Sequence, residues 1–307
     1  MTTESQAHIL PDGRALCYRV FTTLSSEQNP PSLSVFHFHG SPGSHHEAMA
    51  VYDSAESQGV ALRIVAVTRP GFGGSTYYPN HTLLSFAKDV LSLADALEIE
   101  KFAVMGVSGG GPYALACAHV IPTPRLVVAV VVSSMYPPEL GTNGMLAVNR
   151  LFLGLAPWMP ALLGKAVDWH VGNLARDSNP ARYRRFLLDS FDASRPPEDR
   201  ATAHGVKAQR FMEALVQSTR EGFLQGSRAF ADEFALFGTH WGFQLQEVRA
   251  KTVVWHGAKD ANVPLGIAVA AAAAIPGVRL MIAEDEAFIS LPANRMDDIL
   301  KSLLELL

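Results

Sequence analysis

The chain has 307 residues, 48% of them hydrophobic and 18% charged, and a formal net charge of −4. That apolar content is ample for a buried core and lies outside the disordered, fibrous and disulfide-rich classes. The charges are scattered, with no long basic run to bind nucleic acid and no acidic tail.

Met1 to Ala7 is polar and lacks the basic and apolar stretches of a secretory signal. Ile9 to Leu16 reads as a hairpin, because Pro11-Asp12-Gly13 is turn chemistry between strand formers. Residues 22–32 read as a polar loop. Short apolar runs predict buried strands at Leu33–Phe38, Leu62–Val67, Phe102–Val107, Leu126–Val132, Thr252–Trp255 and Val278–Ile282. Helical spacing falls between them, at Leu83–Leu97, Pro112–Val120, Ile267–Ala274 and Pro292–Leu307. Strands alternating with helices predict a mostly parallel sheet covered on both faces.

The alternation stops after Met135. From Pro138 to Phe237 the pattern is helical and rich in aromatics, which predicts a cap inserted after the sixth strand. The expected organisation is a core of 1–137 and 238–307 with a helical cap or lid of 138–237. The richest apolar stretch, Met145–Val167, is interrupted by Asn149, Arg150, Lys165 and two prolines, so it predicts a helix pair and no membrane span. The expectation is a cytoplasmic protein. Cys17 and Cys117 are two isolated positions, expected as reduced core thiols.

The strongest chemical signal is Gly106-Val107-Ser108-Gly109-Gly110, which follows a strand and opens a helix. In that setting G-x-S-x-G is a nucleophile elbow. The tight turn lifts the serine to the carboxyl end of the sheet, beside the N–H groups of a helix start. Other motifs are His39-Gly40-Ser41-Pro42-Gly43, then Arg69-Pro70-Gly71-Phe72-Gly73-Gly74-Ser75, and Gly257-Ala258-Lys259-Asp260-Ala261-Asn262-Val263-Pro264.

In this order the motifs resemble the α/β-hydrolase superfamily, in its branch with an H-G-x-P-G oxyanion loop. The resemblance implies an α/β-hydrolase fold: a mostly parallel eight-stranded sheet flanked by helices. It implies Ser108 as nucleophile, Asp260 as the triad acid, and the N–H groups of Ser41 and Gly109 as the oxyanion hole. It makes His39 a support of the loop. Thr68 stands where the family has an aspartate. Ser108 at the elbow also argues against the epoxide hydrolases and dehalogenases of the superfamily, which use a carboxylate nucleophile.

The family's histidine follows the last strand, typically as G-H-x-S-L. Here the segment reads Ala287-Phe288-Ile289-Ser290-Leu291, and no histidine follows His256. Phe288 cannot exchange a proton with Ser108, whose hydroxyl is a poor nucleophile without a base. A pocket that polarises a carbonyl without attacking it suits cyclisation, elimination or rearrangement of a small apolar carbonyl compound. His39, Gly40, Val107, Met135, Trp158 and Phe288 are the expected substrate contacts. Two other readings stand beside this one. A surrogate base (His37, His45, His46, His170, His204, Asp285 or Glu286) would restore ester, lactone or thioester hydrolysis. A pocket without turnover would make a small-molecule binding protein. A homodimer is compatible with either. No cofactor is implied by a dinucleotide fingerprint, and no metal site by the His37-x-His39 pair, which has no evident third ligand.

Overall fold

The computed structural model describes residues 4–23, 33–79 and 81–307. Beyond Thr23, the expected loop of residues 22–32 lies outside them. β1 (Gln6–Ile9) and β2 (Ala15–Thr22) form the expected hairpin, whose turn takes Gly13 to φ +87°. β3 (Leu33–Phe38), β4 (Leu62–Val67), β5 (Phe102–Val107), β6 (Leu126–Val132), β7 (Lys251–Gly257) and β8 (Arg279–Ala283) follow the apolar runs closely. The sheet order is β1-β2-β4-β3-β5-β6-β7-β8. β1 and β2 are antiparallel additions, and every other pairing is parallel. All six residues of β5 are buried, as a central strand covered on both faces requires.

Helices Met49–Ser57 and Met296–Leu304 cover one face, packing Val51, Ala55, Ile299 and Leu303 with Ile64, Met105 and Val130. Helices Leu83–Ala96, Gly111–Val120 and Leu265–Ala274 belong to the other, where Phe86, Val90 and Leu115 join Phe36, Val104 and Val131. Thr82 starts the first of these with a reciprocal cap: its hydroxyl accepts the Ser85 N–H at 3.0 Å while Ser85 Oγ accepts the Thr82 N–H at 3.0 Å. The C-terminal segment differs from expectation. It divides into Ser290–Asn294 and Met296–Leu304, because Arg295 leaves helical geometry.

Between β6 and β7 the chain is helical. The longer helices there are Ala147–Leu155, Pro160–Val167, Pro180–Ser194, Pro197–His204, Gln209–Gly222 and Arg228–Phe237. Three begin on proline, whose missing N–H costs nothing in a first turn. A buried ion pair fastens the last of them to the core. Arg69, beyond β4, is fully buried and donates Nε and Nη2 to Glu233 at 2.6 and 2.9 Å. Removing one partner of such a pair strands the other charge and costs roughly 3–5 kcal/mol. Arg69→Met is therefore expected to lose stability in that range by denaturant unfolding. The double variant Arg69→Met/Glu233→Leu should lose less than the sum of the two single changes, because it strands no charge.

Candidate active site

The loop after β5 is set by close backbone approach. A Cβ on Gly106 would stand 2.3 Å from Gly110 O, and one on Gly110 would stand 2.1 Å from Phe38 O. Only glycine allows these contacts. Between them Ser108 takes φ +52°, a left-handed conformation that side chains rarely adopt, so surrounding structure must hold it there. The serine reaches a largely apolar cavity of about 380 Å³ between the carboxyl ends of β3 and β5 and the helical insertion, within the usual range of ligand pockets.

The loop after β3 is held from two sides. Gly40 N–H donates to Glu47 Oε2 at 2.8 Å, and Ser41 Oγ donates to Glu233 Oε2 at 2.6 Å. Arg69 donates to the carbonyls of both His39 and Gly40, the latter at 3.0 Å. His39 Nδ1 donates to Gly40 O at 2.6 Å while its Nε2 accepts the Arg69 N–H at 3.1 Å, which fixes one neutral tautomer. Burial, reinforced by the Arg69 charge, holds His39 well below the ordinary histidine range. This clamped loop lies against the elbow: a Cβ on Gly109 would sit 3.2 Å from Ser41 N. The two loops thus converge beside Ser108. Thr68 Oγ1 accepts the His45 N–H at 3.2 Å, so it supports the start of the following helical turn.

The cavity wall joins Gly40, Ser41, Val107, Ser108 and Phe288 from the expected set. Gly109 and Asp260 lie outside the wall. Asp260 is buried, and its Oδ1 accepts the N–H groups of Asn262 and Val263 at 2.8 and 3.0 Å. Its Oδ2 has no hydrogen-bond partner among the described residues. Burial, with some repulsion from Asp199, raises this carboxyl to about 7. Three expected substrate contacts are corrected. His39 lies beneath the loop it supports, Met135 is buried away from the cavity, and Trp158 is 84% exposed between two insertion helices. Phe152, Tyr183, Phe186, Phe191 and Phe230 form the insertion's side of the wall instead.

Of the alternative bases, His37 and His170 line the cavity. His37, at the carboxyl end of β3, is buried in the cavity wall, and burial lowers it to about 3, so it is neutral. His45 and His46 turn to Glu221 at 3.7 and 3.2 Å. They join the helix Gln209–Gly222 to the core as the one group of three metal-capable side chains among the described residues. His204 pairs with Asp192 at 2.9 Å, the Asp285 side chain is exposed, and Glu286 accepts from Asn294 at 3.0 Å.

Two cavity groups carry no sequence motif. Glu47 lines the wall beside Ser108: a Cβ on Gly40 would meet Glu47 Oε2 at 3.3 Å and Ser108 Cβ at 3.5 Å. Its Oε1 is buried without a hydrogen-bond partner among the described residues, and burial raises the carboxyl to about 7. Arg195 sits 5.3 Å over the Phe288 ring. The spacing of Glu47 after H-G-x-P-G is the one signal that could have found it. Arg195 is marked only as a charge ahead of Pro196-Pro197.

The sequence matches the family model described as alpha/beta hydrolase fold over residues 34–292, so the chain belongs to the α/β-hydrolase-fold family. Solved structures of similar fold include the enol-lactonase of Burkholderia xenovorans LB400, at 17% identity and a TM-score of 0.65, covering 98% of this chain and 99% of that one. A thermophilic esterase of Thermogutta terrifontis is 17% identical with a TM-score of 0.63, and an α/β-hydrolase-fold protein of Nakamurella multipartita is 22% identical with a TM-score of 0.63. Each covers 99% of both chains. No curated protein matches the sequence. Among the described residues no helix is long and apolar enough to cross a membrane.

The buried carboxyl of Asp260 gives a pH signature. Its pKa is about 7 folded, against about 3.9 in an unfolded chain. Between those values the folded chain holds the extra proton, so this group's ionisation drains stability as pH rises from 4 to 7. Asp260→Asn should therefore gain on wild type across that interval, by roughly 2–4 kcal/mol, and hold a constant advantage above it. Unfolding of both proteins by denaturant from pH 4 to 8 measures the difference.

Proposed function

We propose that this chain is an enzyme of non-hydrolytic carbonyl chemistry, in which a small apolar substrate is polarised by its oxyanion hole and enclosed by the helical cap. The observation that carries this reading is Phe288 in the cavity wall, where the family's histidine would act, with Asp260 bound to its own loop. Ser108 then has no imidazole to take its proton. In this reading the N–H groups of Ser41 and Gly109, with the Ser108 hydroxyl, stabilise negative charge growing on the substrate oxygen, worth about 3 kcal/mol per donor.

Glu47 supplies the proton transfer that such chemistry needs. As carboxylate it takes a proton from the carbon beside the carbonyl. The C–H electron pair becomes the enolate double bond, and the carbonyl pair moves onto the oxygen in the hole. Glu47 then returns the proton to another carbon, which gives isomerisation, or the enolate attacks a second electrophile in the same molecule, which gives cyclisation. A carboxyl near 7 is balanced for both directions at neutral pH.

A second reading is favoured by the same carboxylate. Glu47 beside Ser108 could act as the base of an ester or lactone hydrolase, the class to which the esterase and the enol-lactonase belong.

A fluorophosphonate and p-nitrophenyl butyrate separate the two. Wild type is expected to stay unlabelled and inert, because losing a triad base costs roughly 10⁶-fold in kcat in a serine protease. Phe288→His should label at Ser108 and turn over ester, and Ser108→Ala/Phe288→His should do neither. Rapid labelling of wild type that Glu47→Gln abolishes would overturn the non-hydrolytic reading and establish the hydrolase.

A further inference from the structure

The cavity is apolar except for a few groups, and one of these carries a permanent charge. Arg195 lies between the insertion helices Pro180–Ser194 and Pro197–His204 and lines the cavity wall with Phe191 and Phe288. A guanidinium cannot shed its proton in a protein, so a half-buried one needs a counter-charge or strong acceptors. Among the described residues its hydrogen-bond partner is the neutral Asn262 Oδ1, and its other neighbours of note are the Phe191 and Phe288 rings, at 5.5 and 5.3 Å. No carboxylate of the described residues forms a salt bridge with it within 4.0 Å, although other arginines facing the interior are paired, as Arg14 is to Asp89 and Arg69 to Glu233.

The two nearest acids are spent elsewhere. Asp199 Oδ1 accepts the N–H groups of Ile289 and Ser290 at 2.9 and 3.0 Å, and Asp260 Oδ1 accepts those of Asn262 and Val263. Burial raises both carboxyls, that of Asp260 to about 7, so Asp260 is only partly charged at neutral pH. The cation is left with a cavity in front of it and spare donors on its fork.

We propose that Arg195 is an anion subsite: the substrate is an apolar molecule bearing a carboxylate or an equally acidic enol, and that group binds Arg195 while the carbon skeleton fills the aromatic cavity. This deepens the reading above and rests on it only in taking the cavity as the substrate site. Arg195 stands beside Phe288, so the anion would occupy the region that a catalytic histidine fills in the family's hydrolases. The substrate's acidic end and its carbonyl would then span the wall from Arg195 to Ser108. A free carboxylate and an acidic enol present the same planar, delocalised pair of oxygens to a guanidinium fork.

The test uses binding alone, so it can fail without the chemistry failing, and fluorophosphonate labelling can fail without it. Decanoate, decan-1-ol and decylammonium share one chain and differ in head charge. Titration calorimetry on the full chain should find decanoate at least tenfold tighter than decan-1-ol, the discrimination expected of a charge-assisted hydrogen bond, and decylammonium weakest. Arg195→Met should bring decanoate to within about twofold of decan-1-ol, and Arg195→Lys should keep most of the preference. Circular dichroism and thermal melting establish that each variant is folded. Should Arg195→Met fail to fold, the wild-type ranking and Arg195→Lys decide the matter. Equal binding of acid and alcohol by wild type, no binding of decanoate, or a preference that survives in folded Arg195→Met would each overturn the proposal.

Discussion

The Arg69–Glu233 pair is the constraint on which the rest of the cavity depends. One residue belongs to the sheet's loops and the other to the helical insertion, and both are buried. Two charges removed from water are a net cost unless their lone pairs and protons find partners. Here every nitrogen of the guanidinium and both oxygens of the carboxylate do. The guanidinium takes Glu233 and the carbonyls of His39 and Gly40, and the carboxylate takes Arg69, Ser41 Oγ and Tyr113 Oη. Tyr113 is in turn bonded to His81 at 2.6 Å. An insertion that docked only by apolar contact could slide on its seat. One that must complete this network has a single position, so the aromatic wall it carries is registered against Ser108.

The same network fixes the loop after β3, which the proposed reading turns to substrate. Arg69 occupies the carbonyls of residues 39 and 40, and Glu47 occupies the Gly40 N–H. These bonds hold the loop against the elbow, with Ser41 in the cavity wall and its backbone beside Gly109. Preorganisation of this kind lets hydrogen-bond donors act on a developing charge without reorganising as it forms.

The sheet was legible because a strand buried on both faces must be a continuous apolar run, and such runs are local facts of sequence. The turns that carry Ser108 and Asp260 were legible for a related reason: a turn that admits only glycine, or a loop folded on its own aspartate, writes itself into neighbouring residues. Cavity membership is not local. Trp158 and Phe152 look alike in sequence, yet one is at the tip between two helices and the other faces inward, and only the docking of the insertion decides which. His37 could be offered only as one of several candidate bases, because strand alternation says that a side chain points to one face without saying what that face meets. Glu47 and Arg195 gave least notice, since a charged residue in a polar-looking segment has no pattern until the cavity closes around it.

In the proposed reading, a phenylalanine at the place of the family's histidine alters more than the proton path. In a triad, the imidazole would give the buried acid a hydrogen-bonding, chargeable partner. Without it Asp260 keeps two backbone donors on one oxygen and none on the other, and its carboxyl rises toward neutrality. A neutral or half-neutral acid no longer balances a cation well. Arg195, which passes over the Phe288 ring, therefore sits in a field with less negative charge than an intact triad would provide. The aromatic face is one of the few surfaces that can accompany a guanidinium without consuming its donors. In the proposed reading, Phe288 and the Arg195 cation above it, which has no salt-bridge partner among the described residues, are physically coupled: an aromatic ring in place of a base leaves a positive charge facing the cavity, and an anionic substrate is what such a charge would bind.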